Sequence, residues 1–204
     1  MVTNEQYQTF DSLFDYYNRE LFGGELPDCM IVTVRYKNHT GFFKPGKWKN
    51  KLTEVEPFIH EINLNPAYFD MEDVKCHAVL VHEMVHLWQY DHGKPTRRNY
   101  HNREWSQKAE KTGLMPSSTG RPGGKKTGEL MSQYVISDGL FIDAFNRLID
   151  RQYKYMPSTF PGRDKAAKTG SRIKYTCPCK SNVWGKSGLS ITCNVCNQCF
   201  KQAV

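Results

Sequence analysis

Between Val74 and Tyr90 the chain reads VKCHAVLVHEMVHLWQY, and this segment constrains the fold around it more than any other. Val74, Ala78, Val81, Val85 and Trp88 recur at steps of three and four residues, which predicts a helix with one apolar face in the core. His82, Glu83 and His86 lie on a neighbouring face in the pattern H-E-x-x-H. At about 1.5 Å of rise per residue, side chains four apart sit one turn apart on the same side, so both imidazoles can reach one metal ion. Zinc suits such a pair, because it takes neutral imidazole nitrogen in a tetrahedral shell and leaves a position open for water. Glu83, beside the first ligand, stands where a carboxylate can take a proton from that water. Two merely hydrogen-bonded histidines would instead leave Glu83 as an unpaired buried acid, which is expensive.

A catalytic zinc site needs a third protein ligand. His92 follows His86 by six residues, but Gln89 stands where that spacing wants a glycine to turn the chain back. Glu104 or Glu110 would supply a carboxylate from a downstream helix. His101 lies just before a helix capped by Asn102, on a segment released by the break at Gly93–Pro95. The residues alone leave these three open.

The 204 residues give room for one ordinary domain and a small appendage, and 39 % hydrophobic content supports a real core. No apolar run approaches the ~20 residues of a membrane span, since His82, Glu83 and His86 interrupt the best candidate. The opening MVTNEQYQTFDS has neither the basic nor the apolar region of a signal peptide, so a cytoplasmic monomer is expected. The net charge of +7 is uneven. Residues 1–115 carry 14 Lys and Arg against 16 Asp and Glu, a balance of −2, whereas residues 116–204 carry 14 against 5, a balance of +9. Arg163, Lys165, Lys168, Arg172 and Lys174 crowd together, with Tyr153, Tyr155 and Trp184 on either side. Such a segment fits DNA, through phosphate contacts and through stacking that favours single strands.

In chain order, Thr3 and Gln6 have capping-box spacing, and Tyr7, Phe10, Phe14, Tyr17 and Leu21 form a helical stripe closed by Gly23–Gly24. Met30 to Tyr36 and Phe58 to Leu64 alternate as strands, with HTGFFKPGKWKN between them as a turn or loop. His60 and Glu61 read as solvated residues at a strand edge. Asp70 and Asp73 form the acidic first turn of the histidine helix. A short helix follows Asn102, with Trp105 and Ala109 inward and Gly113 at its end. The Gly-, Ser-, Pro- and Lys-rich stretch from Gly113 to Tyr134 reads as a linker or long loop. Leu140, Phe141, Ala144, Phe145 and Leu148 then predict one more helix.

Five of the seven cysteines fall between Cys177 and Cys199, a clustering that favours metal over disulfides. Cys177-Pro-Cys179 and Cys193-Asn-Val-Cys196 look like the two knuckles of a zinc ribbon. Four thiolates close the shell of one zinc, so such a site is structural. Cys199 is read as a spare thiol, and Cys29 and Cys76 as ordinary buried ones.

Four segments, LFDYYNRELFGGELP, EINLNP, VHEMVHLWQ and HNREW, resemble the SprT-like family of zinc metalloproteases. The resemblance implies that the third zinc ligand is His101, which opens the H-x-x-E-aromatic segment, and it supports the C-x-C…C-x-x-C tail as a metal site. It implies an α+β fold: a zincin-like domain with helices on a small antiparallel sheet, followed by a zinc ribbon. The expected division is a catalytic core at 1–115, a basic connection at 116–170 and the ribbon at 171–204. The implied activity is zinc-dependent cleavage of polypeptides. His82, His86 and His101 hold a catalytic Zn²⁺, a second Zn²⁺ is structural, and Glu83 moves the proton. In some members the substrates are proteins crosslinked to DNA, so DNA-bound protein is the expected substrate here. The alternative is a non-catalytic, zinc-containing nucleic-acid-binding protein, and Glu83 argues against it, because a structural site needs no poised base.

Overall fold

The computed structural model describes residues 2–37, 39–49, 51, 58–69, 71–97, 100–150 and 173–202, in two compact units, Met1–Thr159 and Phe160–Val204. It is a mixed α/β structure with small sheets. In the first unit the order is α1 (Val2–Phe22), β1 (Cys29–Thr33), β2 (Gly41–Lys49), β3 (Phe58–Leu64), α2 (Asp73–His92), α3 (Arg103–Thr112), β4 (Leu114–Ser117), β5 (Ser132–Val135) and α4 (Leu140–Asp150).

The apolar stripe of α1 enters the core from Phe10 onward, while Tyr7 stays open to solvent. Because α1 begins at Val2, Thr3 lies inside the helix rather than at the position before it. The histidine helix α2 is more deeply buried than one apolar face would require: Leu80, Val81, Met84, Val85 and Leu87 are all fully covered. Its first turn contains Asp73, and Asp70 lies outside the described residues. The expected helix at 140–148 forms as α4 and packs on α1, where the Tyr16 hydroxyl donates to the Ala144 carbonyl at 2.7 Å.

The sheet differs from expectation in three ways. Its order is β1-β3-β2, with β3 antiparallel to β2 but parallel to β1, so the sheet is mixed and not purely antiparallel. A parallel pair needs a crossover connection, and here the chain makes β2 on the way from β1 to β3. The segment read as a loop is therefore an edge strand. Pro45 and Gly46 hid it, because both read as breakers; they sit where the register shifts between Lys44 and Trp48, on an edge strand, where a sheet tolerates them. Finally, β3 is central, so Glu61 is buried and accepts from the Trp48 indole at 2.8 Å, and His60 Nδ1 accepts from the Gly46 amide at 3.1 Å. Neither is a solvated edge residue.

The stretch after Gly113, expected as a linker or long loop, contributes β4 and β5, an antiparallel pair, to the first unit. In the second unit β6 (Ile173–Thr176) pairs with β7 (Asn182–Gly185) and with β8 (Lys201–Gln202), around a small core centred on Tyr175.

Candidate metal centres

Residues His82 and His86 project from α2, as their spacing predicts, and the segment before α3 brings His101 to them. One ring nitrogen from each of the three lies within 4.8 Å of the others. The way back to α2 is built by side chains that look like ligand candidates in the sequence. Glu104 accepts from Gln89 Nε2 at 2.8 Å and from the Lys94 amide at 2.7 Å, tying the end of α2 to the start of α3. It approaches Gly93 so closely that an added Cβ would stand 2.6 Å from its Oε2, so a side chain there would displace the Glu104 carboxylate from this position. Asn102 caps α3 by accepting from the Trp105 amide at 2.9 Å, and it donates to the Lys94 carbonyl. Glu110 pairs with Lys126 at 3.1 Å, and His92 Nε2 lies 3.1 Å from the Glu25 carbonyl. Neither reaches the centre.

Hydrogen bonds behind the rings decide which nitrogens face inward. Gln133 Nε2 donates to the Ala78 carbonyl at 3.3 Å, so its Oε1 must accept from His82 Nδ1 at 2.8 Å. The Gly128 carbonyl accepts from His101 Nδ1 at 3.1 Å. With both Nδ1 atoms protonated, the Nε2 atoms of these neutral rings are bare lone pairs. Yet they lie 3.2 Å apart, and His101 Nε2 is 3.0 Å from His86 Nε2. Two lone pairs with no proton between them repel unless a cation separates them. Nitrogens bound to one tetrahedral zinc at ~2.0–2.1 Å stand about 3.3 Å apart, so the donor set fits the metal. Burial also keeps the rings neutral: it lowers the pKa of His82 to about 3, and those of His86 and His101 below the ordinary imidazole range. Trp105, fully buried, underlies all three rings, with centroid distances of 4.4 to 5.1 Å.

Glu83 is 5 % exposed, and burial pushes its pKa up to about 8. A dication in the same cavity would draw it back toward the ionised form. The carboxylate lies against the start of β2: a Cβ at Gly41 would be 3.1 Å from Glu83 Oε1 and 3.0 Å from the Asn63 carbonyl. A side chain at this position would force the edge strand or Glu83 to give by a few tenths of an ångström.

In the second unit, Cys177, Cys179, Cys193 and Cys196 bring their sulfurs within 4.8 Å of one another. Cys179 and Cys193 Sγ are 3.6 Å apart, near the roughly 3.8 Å edge of a tetrahedron with 2.3 Å bonds, and Cys177 and Cys179 Sγ are 2.7 Å apart. The two knuckles are made alike despite their unequal spacing. The residue after each pair, Lys180 and Asn197, has a left-handed backbone, with φ of 67° and 53°. Cys199 lies outside the group and is exposed; Cys76 is buried and Cys29 partly so.

Gln133, the Gly128 carbonyl, the Trp105 platform and Gly41 escape a reading of the sequence. Gln133 is 51 residues from the histidine it orients and belongs to no motif. Of the basic residues expected to meet DNA, Lys174 is exposed on β6, while Arg163, Lys165, Lys168 and Arg172 lie outside the described residues, as do Tyr153 and Tyr155.

Three clustered histidines, His101 buried and His82 and His86 half-buried, beside a buried glutamate make a candidate metal-binding site. The family model of the SprT-like family matches residues 10–122, more than half of the chain, and the chain belongs to that family. The match covers all three histidines and Glu83 and points to metallopeptidase-type chemistry. No curated protein matches the chain significantly.

Proposed function

We propose that this protein is a zinc-dependent endopeptidase that acts on DNA-bound or DNA-crosslinked protein. The observation that carries this reading is the meeting of the His82 and His101 lone pairs beside Glu83. His82, His86 and His101 would hold the ion. A zinc bound there supplies a Lewis acid and lowers the pKa of its water to about 7. Glu83 takes the proton of the attacking water and returns it to the leaving amine. Gln133 and the Gly128 carbonyl keep His82 and His101 in the tautomer that presents Nε2. The outer edge of β2, unpaired among the described residues, begins beside Glu83, and an extended polypeptide can add to it through main-chain hydrogen bonds that carry little sequence preference.

In this reading the fold around the first centre is zincin-like, and the second unit is a zinc ribbon whose metal is structural. The DNA role is supported by the charge balance after residue 115 and by Trp184, 60 % exposed and paired across the strand with Lys174. The decisive experiment is Glu83→Gln, assayed on a partly unfolded, DNA-bound protein. Cleavage should fall by about 10²–10⁴-fold, the usual worth of a general base, with the metal retained. Undiminished cleavage would end the mechanism, and loss of metal would make Glu83 structural.

A further inference from the structure

The face of α2 that carries His86 and Glu83 continues past them in both directions. Val79, Glu83, His86 and Tyr90 follow one another at steps of four, three and four residues, so they lie along one side of the helix. Strand β2 runs beside this face. Its first residue, Gly41, stands over Val79 and Glu83, where an added Cβ would be 3.0 Å from Val79 Cγ1 and 3.1 Å from Glu83 Oε1. Two residues further on, Phe43 meets the Tyr90 ring, with centroids 6.0 Å apart. From Gly41 to Phe43, β2 therefore follows α2 from Glu83 to Tyr90.

At the Tyr90 end three rings close on one another. His60, from β3, lies edge-on to Tyr90 at 5.1 Å and is 5.7 Å from Phe43. Two of the rings are held from behind: Phe43 packs against the core, and the Gly46 amide donates to His60 Nδ1. Tyr90 completes the group yet is 46 % exposed, whereas its helix neighbours Leu87 and Gln89 are buried. Burial lowers the pKa of His60 against the opposing pull of Asp91, so at neutral pH the three rings are uncharged.

A polypeptide added to the outer edge of β2 would present alternate side chains to the same face, about 6.8 Å apart. A residue held beside Gly41 and Glu83 would then be followed, two positions along, by one beside Phe43 and Tyr90. Uncharged rings already set in place suit a side chain that is itself large and apolar. An aromatic ring suits them best, because aromatic pairs add offset or edge-on contacts to the area they bury.

We propose that Tyr90, His60 and Phe43 form a substrate subsite for an aromatic or large aliphatic side chain, two or three residues from the bond that is cut. The subsite rests on the peptidase reading and names the segments that such a peptidase would take. Large apolar side chains are mostly buried in folded proteins, so the subsite selects stretches of polypeptide that have come unfolded.

The test uses the full zinc-loaded chain and a library of unstructured peptides, with the cut ends read by mass spectrometry. Phe, Tyr or Leu two or three residues from the cut, on one side of it, should raise kcat/KM about 10- to 100-fold over Ala, the worth of burying a large apolar side chain. Tyr90→Ala should shrink the Phe-to-Ala ratio roughly two- to twelve-fold, the worth of one aromatic pair, and Tyr90→Phe should restore it. A merely structural Tyr90 would lower cleavage of all the peptides alike and leave the ratio unchanged. The proposal is overturned if the ratio is near one in the parental chain, which decides the matter even if Tyr90→Ala fails to fold. It is equally overturned if the ratio survives Tyr90→Ala intact. Cleavage without preference removes the subsite and leaves the peptidase reading standing, whereas no cleavage of any peptide overturns both.

Discussion

In the three-histidine centre the ligands come from a long buried helix and from a segment folded back onto it, and hydrogen bonds from β5 and from Gly128 hold the rings from behind. In the four-cysteine group the candidate ligands come from two tight turns between strands of two to four residues, and among the described residues of this unit the buried core is Tyr175, Cys177 and Cys193. The first centre is built by a fold that has its own core, from Phe10 to Leu148. The second is itself most of the core. In the proposed reading, the first fold positions a metal for chemistry, whereas the second needs a metal to exist.

The contrast is broken most directly by removing zinc. A strong chelator should unfold the second unit, since structural zinc in small modules contributes about 10–16 kcal/mol of folding free energy at neutral pH. The first unit should keep its helices, and Cys193→Ser should reproduce the selective loss. Circular dichroism with hydrogen exchange reads both; loss of protection in α1 and α2 on chelation would place the two centres in one class.

A smaller effect separates the centres by pH. His77 is buried against Tyr17, whose hydroxyl lies 2.7 Å from its Nδ1, and burial lowers its pKa to about 4. Between pH 4 and 6.5 the unfolded chain binds a proton there and the native state does not. Stability from this group is therefore complete above about 6.5, falls as pH drops, and levels off below 4, a loss of about 3 kcal/mol at 1.36 per unit. Denaturation of the zinc-loaded protein at pH 7.5 and pH 5, compared with His77→Gln, should show a shallower loss in the variant. Equal slopes would mean that His77 is not held neutral.

Gln133→Leu should weaken zinc at the histidine centre by about 10–100-fold while leaving the cysteine site unchanged, as loss of an orienting partner does. Titration with a competing chelator measures both sites, and unchanged affinity would mean that Gln133 does not set the His82 tautomer. The smallest effect is expected for His92→Ala, whose ring meets the Glu25 carbonyl and not the centre. Zinc stoichiometry should stay at two, whereas His101→Ala should lose the catalytic ion. The reverse pattern in metal analysis would reassign the third ligand.

What the sequence determined by itself was mostly local. The spacing of His82, Glu83 and His86, the Asn102 cap, the helix at Leu140 and the cysteine pairs all depend on residues within a turn or two of each other, and each appears in the structure. The second strand was illegible because Pro45 and Gly46 carry loop signals that only an edge position and a register shift can accommodate. The solvent-facing side of β1 was illegible too, since alternation shows two faces without saying which one meets the core, and Ile31 rather than Met30 or Val34 turned inward. Tertiary structure alone decided how the third ligand is placed. His92, Glu104 and His101 are comparable candidates along the chain, and the choice follows from Glu104 clamping the end of α2 and Gly128 holding the His101 ring. Such hydrogen bonds link residues 10 to 51 positions apart, and no local pattern encodes a partner at that distance.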